Sequence, residues 1–370
     1  MRHKLLGGLL FAAIFAALAS SAMASTTWYT NGVSGSDNNN CLLSTDPCKT
    51  IGHAISLASS GDSIRVAAAT YAEHLTVPVS LTIIGANART TIIDAKKSGT
   101  VIGIFSAGLR VTLASLTIRG GSGGGVINAG TLTITNCTIS GNSNGRGGGL
   151  YNLGTLRIFD TTISGNSAFV GGGGIANGAT LELVNSTIKG NVAAGYVLSG
   201  GHFQPPTGGG IDNFGTSTIS NTTIANNAAI FNPPVGPCHI IGPCYASGME
   251  IAGPVTIENS IVATVYPDGL NCNGVVNSKG YNLSSDSTCN FNKSGDLNNI
   301  DPKLGPLQYN GGPTQTMALL AGSPAIDAGN PSGCTDGAGH LLKTDQRSKP
   351  RPDLEDKGGC DIGAYEYQGD

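Results

Sequence analysis

Charged side chains and aromatic rings are both scarce in this chain of 370 residues. Asp, Glu, Lys and Arg together make up 12% of it, Phe, Trp and Tyr make up 5%, and Trp occurs once. The formal net charge is −3, so the chain lacks the basic excess that favours binding to nucleic acid or to an anionic membrane surface. The composition is not that of a long helix or a coiled coil, which are rich in Ala, Glu, Lys, Leu and Arg.

Long apolar runs are missing beyond the N-terminus. A basic start, an apolar stretch from Leu5 to Leu18 and the small residues Ala22-Met23-Ala24 have the pattern of a signal peptide. No later segment reaches the roughly 20 apolar residues that a membrane-spanning helix needs. We therefore predict that residues 1–24 are removed on export, and that the mature chain is extracellular or at the cell surface.

Glycine, in contrast, is abundant, with 56 residues, and much of it lies in a repeat. Each repeat begins with three glycines, continues with alternating apolar residues and ends with Asn or Asp, a small residue, Thr and Ile. The copies of this last motif are Asn136-Cys137-Thr138-Ile139, Asp160-Thr161-Thr162-Ile163, Asn185-Ser186-Thr187-Ile188 and Asn221-Thr222-Thr223-Ile224. The first three copies are 24 and then 25 residues apart. Strand-forming repeats of this length are typical of a solenoid.

A unit of 24 residues accommodates three short strands and three turns. Alternation points Leu150 inward and Tyr151 outward in the first strand, and Leu156 inward in the second. Asp160 then turns the chain into the third strand, because Asp and Asn tolerate the left-handed backbone conformation. Stacked coils align these corner residues in one column and join their strands into continuous parallel sheets. The sequence therefore predicts one elongated all-β domain.

Both ends of such a stack need a cover, because open strand edges pair with other chains. Lys49–Ser59 has apolar residues at helical spacing and predicts a short capping helix. The Gly- and Pro-rich segment from Asp301 has no coil period and is predicted to cap the other end. The chain thus divides into an N-terminal segment with the helix (25–60), the β-helix repeats (61–300) and an irregular C-terminal region (301–370).

Nine cysteines in an exported chain predict disulfides and one residue left over. Proximity favours four pairs, although spacing alone does not fix the connectivity: Cys41–Cys48, Cys238–Cys244, Cys272–Cys289 and Cys334–Cys360. Cys137 is left over, and its equivalents in the other repeats are small: Thr161, Ser186, Thr222 and Ser260. We therefore predict that Cys137 is a free, buried core thiol rather than a nucleophile.

Two parts of the chain resemble known families. Gly61–Val66 and Thr70-Tyr71-Ala72-Glu73 resemble the opening coil of secreted proteins with the pectin-lyase-like fold. The C-terminal region is similar to the choice-of-anchor Q domain, in the segments Asp301–Leu307, Asn310–Thr314, Gly322–Gly329, Asp345-Gln346-Arg347 and Cys360–Glu366. These resemblances imply a single-stranded right-handed parallel β-helix with three strands per coil, in a bacterial surface protein.

The second resemblance implies a domain that usually precedes an anchoring signal, and the chain departs from it in two ways. Ser348 stands where the pattern has Gly after Asp-Gln-Arg, and no apolar tail or sorting motif follows before Asp370. Free secretion or loose surface association is therefore expected rather than covalent attachment.

Enzymes of the pectin-lyase-like fold have recognisable motifs, and the chain contains none of them. It lacks the Asn-Thr-Asp, paired Asp, Gly-His-Gly and Arg-Ile-Lys motifs of galacturonases, the motifs of pectin esterases, and the Asp clusters of calcium-dependent lyases. No His/Cys spacing indicates a zinc site, and Cys238 and Cys244 around His239 are expected to form a disulfide loop. No cofactor or metal is expected, with calcium at a pair of carboxylates as the one alternative.

The regular spacing breaks twice, where the step between corner residues grows to 36 and then to 38. The two insertions, Gly195–Thr207 and Ala228–Ala246, leave the same corner of neighbouring coils and are rich in aromatic residues and His. They contain Tyr196, His202, Phe203, Phe231, His239 and Tyr245. Because insertions in solenoids usually lie on the binding face, Tyr196, His202, Phe203 and Tyr245 are candidate ligand contacts.

The outward column of the first strand runs beside these insertions and comprises Ile127, Tyr151, Ala176, Asp212 and Glu250. Neighbouring coils are about 4.8 Å apart, which predicts that Asp212 and Glu250 are adjacent. Two close carboxyl groups suit glycoside hydrolysis or calcium binding, and the ring of Tyr151 suits stacking on a sugar. Because adjacent acids arise easily by chance, a solvated surface pair is the favoured interpretation of Asp212 and Glu250.

Three functions remain open at this point. The absence of enzyme motifs favours a non-catalytic secreted or cell-surface protein that is adhesin-like or contacts carbohydrate. A divergent polysaccharide hydrolase or lyase is the first alternative, and a structural surface spacer is the second. The expected partner is a polysaccharide or cell-surface glycan, without nucleic acid, and the chain is expected to be a monomer.

Overall fold

The computed structural model describes residues 25–197, 203–231, 246–264, 269–353 and 359–369. The predicted signal peptide and the predicted pair Cys238–Cys244 lie outside these residues. In the described residues the chain winds into stacked coils with long parallel sheets and one α-helix, and the predicted right-handed parallel β-helix is confirmed.

The first and second strands of the coils belong to one 16-stranded sheet, because the long strands Ala246–Glu258 and Gly269–Ser278 span both positions. The other first strands are Leu75–Thr76, Ile102–Ile104, Val126–Asn128, Leu150–Asn152, Ile175–Asn177 and Ile211–Asn213. The other second strands are Ser63–Val66, Leu81–Gly85, Arg110–Ala114, Thr131–Thr135, Thr155–Phe159, Thr180–Val184 and Thr216–Ser220, with Thr27–Thr30 added at the N-terminal edge.

The third strands form a separate nine-stranded parallel sheet. They are Ala69–Tyr71, Thr91–Asp94, Thr117–Arg119, Thr138–Ser140, Thr162–Ser164, Thr187–Lys189, Thr223–Ala225, Ile261–Ala263 and Leu283–Ser284. The structure adds a fourth strand to the middle coils, between the third strand and the next glycine run. These fourth strands are Ser143–Arg146, Ser167–Gly171, Val192–Val197 and Ala228–Phe231, and Phe203–Gln204 pairs antiparallel with the third of them.

The predicted corner between the second and third strands is present. Ser115, Asn136, Asp160, Asn185, Asn221 and Asn259 all have a φ between 47° and 57°. The side chains bond along the column at two steps, with Asn185 donating to Asp160 at 2.7 Å and Asn259 donating to Asn221 at 2.9 Å. The flanking strands pair in register, so the corners stack coil upon coil as predicted.

Two further asparagine columns lie inside the coils, fully buried. The side-chain amides of Asn128, Asn152, Asn177 and Asn213 are linked in series at 2.7–2.8 Å. Those of Asn142, Asn166, Asn191 and Asn227 are linked in the same way at 2.9–3.0 Å. Because each amide also bonds to backbone groups at the turns, these columns satisfy polar groups that the narrow coil would otherwise bury without partners.

The cysteines follow the prediction where the structure describes them. The pairs Cys41–Cys48, Cys272–Cys289 and Cys334–Cys360 are disulfides, and Cys137 is a free, buried thiol. Its equivalents Thr161, Ser186, Thr222 and Ser260 are likewise fully buried, which confirms the assignment of faces.

The N-terminal end is covered by the predicted helix, Ile51–Leu57. Thr50 caps it by accepting a hydrogen bond from the amide of His53, and the carboxylate of Glu73 accepts from the amides of Ile51 and Gly52 at 2.9 and 2.8 Å. Glu73 belongs to the first coil, and it thereby fastens the helix to the stack.

The C-terminal end of the stack is covered by residues 279–300, which follow the last long strand. Phe291 and the disulfide Cys272–Cys289 lie in the same hydrophobic core as the coil interior. The region from Asp301 is irregular, as predicted, apart from the antiparallel hairpin of Leu304–Gln308 and Thr316–Leu319.

The C-terminal region also lies along the flank of the stack, where it hydrogen-bonds to corner residues from Asp160 to Asn259. The corner column presents a row of amide and carbonyl groups that the region can satisfy, whereas the end is already closed by residues 279–300.

Candidate functional site

The outward face of the first-strand sheet brings the two predicted acids together. Asp212 and Glu250 pair in register on adjacent strands, as the spacing predicted. Asn273 follows Glu250 in the same column, and Ala176 and Tyr151 precede Asp212. We call this surface the first-strand face.

Asp212 is not a solvated surface acid, which corrects that expectation. Its side chain is fully buried, and its Oδ2 accepts from Thr207 at 3.0 Å and pairs with the guanidinium of Arg146 at 3.1 Å. Arg146 reaches it from a fourth strand two coils away, past Ala176, which is buried. A side chain at Gly171 would collide with the carboxylate, so this glycine makes room for Asp212.

Burial raises the pKa of Asp212 to about 6. The hydrogen bond from Thr207 and the charge of Arg146 act against this rise, and the charge of Glu250 adds to it. The direction agrees with the idea that two neighbouring acids perturb one another, but burial rather than repulsion is the main cause. Oδ1 of Asp212 has no hydrogen-bond partner among the described residues.

Glu250 is held in a different way. The side-chain amide of Asn273 donates to both of its carboxylate oxygens, at 3.1 and 2.8 Å, in an exposed position. A calcium ion between the two acids would sit beside the guanidinium that already neutralises Asp212, so the electrostatics of this pair disfavour a cation.

Apolar side chains extend the first-strand face toward the N-terminal end. Tyr151 is half-buried in the outward column, and three large apolar residues at or beside this face are about half exposed: Phe105, Leu153 and Phe214. The ring of Phe105 lies against Gly103, and the Arg146 guanidinium carbon lies 4.7 Å from the centre of the Phe214 ring. The face therefore combines flat apolar surface with one cation and one exposed acid, a mixture suited to sugars.

The two insertions leave neighbouring coils side by side. Each begins at a fourth strand, and these two strands, Val192–Val197 and Ala228–Phe231, pair in parallel. Tyr196 and Phe203 lie on paired strands at the base of the first insertion. His202 and Tyr245 lie outside the described residues, as does His239. The contribution of these aromatic residues to a site therefore stays a prediction.

A second set of ionisable side chains, which the sequence did not single out, lies on the outward face of the second strands. There the loop from Thr335 to Gly339 leans over the sheet and encloses a cavity of about 280 Å³ lined by Glu258, Lys279 and Asp336. Glu258 accepts from the Thr335 hydroxyl at 2.8 Å, and Asp336 accepts from His340 Nδ1 at 2.9 Å. We call this cavity the loop groove.

The two acids of the loop groove have pKa values shifted in opposite directions. Burial raises the pKa of Glu258, the bond from Thr335 opposes this, and the charge of Asp336 adds to it. For Asp336, burial acts upward, but the hydrogen bonds from His340 lower the pKa overall. No sequence pattern could have paired these residues, because Asp336 lies in the C-terminal region, which has no coil period.

In the described residues the one close group of three donors is Cys41, Cys48 and His53, and the two sulfurs are bonded to each other in a disulfide. This group is therefore not a metal site. No helix in the described parts of the chain has the length and apolar character to cross a membrane.

Comparisons with known proteins give a fold and no family. No family model matches the chain, and no curated protein matches it either. Among solved structures, pectate lyase Pel9A is similar with a TM-score of 0.51 and 14% identity, covering 94% of this chain and 98% of that one. A pectin methylesterase from Aspergillus niger has a TM-score of 0.42 and 16% identity, covering 72% of this chain and 89% of its own. At 14% identity the likeness to the pectate lyase establishes the parallel β-helix fold alone.

Proposed function

We propose that this protein is exported and acts outside the cell as a non-catalytic β-helix protein that contacts carbohydrate through the first-strand face. The observation that carries the proposal is the composition of this face: Tyr151 and Phe214 offer rings beside the Arg146 cation and the exposed Glu250. Stacking on rings combined with a few placed polar groups is how proteins bind sugars.

A non-catalytic role is supported by the state of the two acids. Hydrolysis of a glycosidic bond uses two carboxyl groups that both reach the sugar, one as acid and one as base or nucleophile. Asp212 is buried beneath an ion pair with Arg146, and Glu250 is tied to Asn273 through both oxygens. Both acids therefore serve to hold the face in shape.

Export is supported by the signal-like N-terminus and by three disulfides, which form in oxidising compartments. The similarity of the C-terminal region to the choice-of-anchor Q domain stays part of the proposal, and it favours a place outside the cell or at the cell surface. The monomeric state and the signal peptide are also parts of the proposal.

The loop groove favours one other candidate function, that of a polysaccharide hydrolase. Glu258 has a raised pKa and Asp336 a lowered one, and both line the same cavity. Carboxyl groups whose environments separate their pKa values are typical of an acid–base pair. The groove is small, however, and His340 beside it is largely exposed.

The experiment is a glycan array probed with the mature chain from Ser25, followed by a reducing-end assay on every glycan that binds. Binding without product release supports the proposal. Binding with product release that Glu258→Gln abolishes and Glu250→Gln leaves intact would replace it with the hydrolase. An absence of binding to all glycans would leave the spacer as the better description.

A further inference from the structure

The C-terminal region touches four successive coils at the same position. The Thr314 hydroxyl donates to the carbonyl of Asp160 at 3.2 Å, and Asn185 donates to the carbonyl of Thr344 at 3.1 Å. Asn221 donates to the carbonyl of Thr335 at 2.6 Å, and Asn259 donates to that of Asp361 at 2.8 Å. All four coil residues belong to the corner column, so the region crosses the coils as a strap.

Gln346 bridges two of these coils from within the contact. Its side chain is fully buried, with Nε2 donating to the hydroxyls of Thr162 and Thr314 at 3.0 Å each, and Oε1 accepting from Thr187 at 2.6 Å. Thr162 and Thr187 are register partners on adjacent third strands. The side-chain amide of Gln346 therefore forms hydrogen bonds to two adjacent coils at once.

Paired charges hold Gln346 in place. Arg351 is fully buried and binds Glu366 at 2.6 Å, the side-chain oxygen of Asn185 at 3.0 Å and the carbonyl of Gly363 at 2.7 Å. Arg347 pairs with Asp345 at 2.6 Å and lies over the ring of Tyr365 at 3.6 Å. Removing one member of such a network leaves an unpaired buried charge, which is strongly unfavourable.

The network has a consequence for the whole stack. In a solenoid each coil contacts only its neighbours, so a coil can open locally without disturbing distant ones. A strap that bonds to four coils couples the opening of these coils. The reason is that no coil can open before its bonds to the strap are broken.

We infer that the segments Asp345-Gln346-Arg347 and Gly363-Ala364-Tyr365-Glu366 form a latch, and that the latch fastens residues 301–353 and 359–369 across four coils so that these coils open only together. The two segments thus act within this chain, on its own corner column. This role is independent of carbohydrate binding by the first-strand face.

The test uses Gln346→Ala in the full mature chain, with Gln308→Ala as the matched control. Gln308 belongs to the same region, but its side chain is exposed and, among the described residues, donates to Asn310 alone. Hydrogen exchange is followed under native conditions in two places: in the strap, residues 301–353 and 359–369, and in the third strand Ile261–Ala263. This strand belongs to the last of the four coils, two coils beyond Thr187.

We expect Gln346→Ala to speed exchange both in the strap and in Ile261–Ala263 by about tenfold or more, because three buried hydrogen bonds are lost. The Gln308→Ala control should match the wild type in both. Faster strap exchange with unchanged exchange in Ile261–Ala263 would overturn the coupling of the coils, and no change in either place would overturn the latch.

A measurement on the wild type covers the case in which Gln346→Ala does not fold. The latch requires the strap amides to exchange as slowly as those of the third strands. Strap amides that exchange more than about a hundredfold faster than the coils would show separate opening and would contradict the inference.

Discussion

Cys137 stands in an inward column whose other members carry hydroxyl groups, and its chemistry follows from that place. Burial raises the pKa of its thiol to about 12, so the reactive thiolate is absent at neutral pH. The thiol lies 3.2 Å from the carbonyl of Thr135, the same type of contact that the Thr161 hydroxyl makes to Phe159 one coil later.

We expect Cys137→Ser to change the free energy of unfolding little, because hydroxyls already fill the equivalent positions. Cys137→Phe should destabilise the fold by roughly 1–3 kcal/mol, because the closed interior cannot accommodate the larger volume. Urea unfolding of both variants checks this. Equal losses for Ser and Phe would contradict the assignment of the position to a tightly packed core.

Asn166 shows which residues the repeat pattern reveals only in part. Gly165-Asn166-Ser167 comes directly after the third strand Thr162–Ser164, and an Asn in such a turn commonly bonds its own backbone. The structure instead buries Asn166 and links it to Asn142 and Asn191. The sequence shows that Asn recurs at this position, but it does not show that the Asn side chain points into the coil.

Replacing Asn166 with Ala should cost about 3 kcal/mol or more, because several buried groups lose their partners at once and each unsatisfied one costs about 1–3 kcal/mol. The exposed Asn292 provides the control, with Asn292→Ala expected within about 0.5 kcal/mol of the wild type. Thermal or urea unfolding measures the difference. A loss for Asn166→Ala as small as for the control would show that water satisfies the column.

At the scale of elements, the capping helix is fastened at its N-terminus by two side chains outside it, Glu73 and Thr50. Its N-terminal amides point at Glu73, and Thr50 satisfies another amide. We expect Glu73→Ala to destabilise the protein by about 0.5–2 kcal/mol, the range for loss of a helix cap. Ser56→Ala, on the exposed side of the helix, should be near neutral. Faster hydrogen exchange confined to residues 50–58 would locate the effect, and unchanged exchange there would refute it.

Elements with a regular period were predictable, and those without one were not. Corner residues such as Asn136 and Asp160 recur at nearly equal steps, so their stacking follows from the repeat. In the loop groove, Glu258 and Asp336 line the same cavity. In the strap, Gln346 bonds to Thr162. Both pairs are far apart in the chain, at separations that do not follow the repeat. Only the folded chain shows these contacts. Asp212 was predicted on the correct face, but no pattern indicated that Arg146, 66 residues earlier, buries it.

At the scale of the whole molecule, buried acids determine how stability depends on pH. Burial raises the pKa of Asp361 to about 8, with the charge of Glu366 adding to the rise, and burial raises the pKa of Asp160 and Asp212 to about 6. The folded state therefore binds more protons than the unfolded state between the ordinary Asp value near 3.8 and these values. Stability should fall as the pH rises through this window.

We accordingly expect the free energy of unfolding to be larger near pH 5 than near pH 8. The decline between pH 4 and 6 should come from these three acids together with Glu73, Glu258 and Glu366, whose pKa values burial also raises. Above pH 6 we expect Asp361 to contribute most of the decline. Urea titrations across this range provide the measurement, and Asp361→Asn should flatten the upper half. Stability that instead rises from pH 5 to pH 8 would show that Asp361 is charged in the folded state.

The measurement that tests the central claim most directly is the affinity of the first-strand face for a glycan identified on the array. Tyr151→Ala and Phe214→Ala are compared with the wild type, and Tyr309→Ala serves as an exposed aromatic control on the strap. The account predicts about tenfold weaker binding for each face variant, the loss expected for one stacking ring, with unchanged binding for the control and no reducing ends released. Unchanged affinity in both face variants, or release of reducing ends by the wild type, would contradict it.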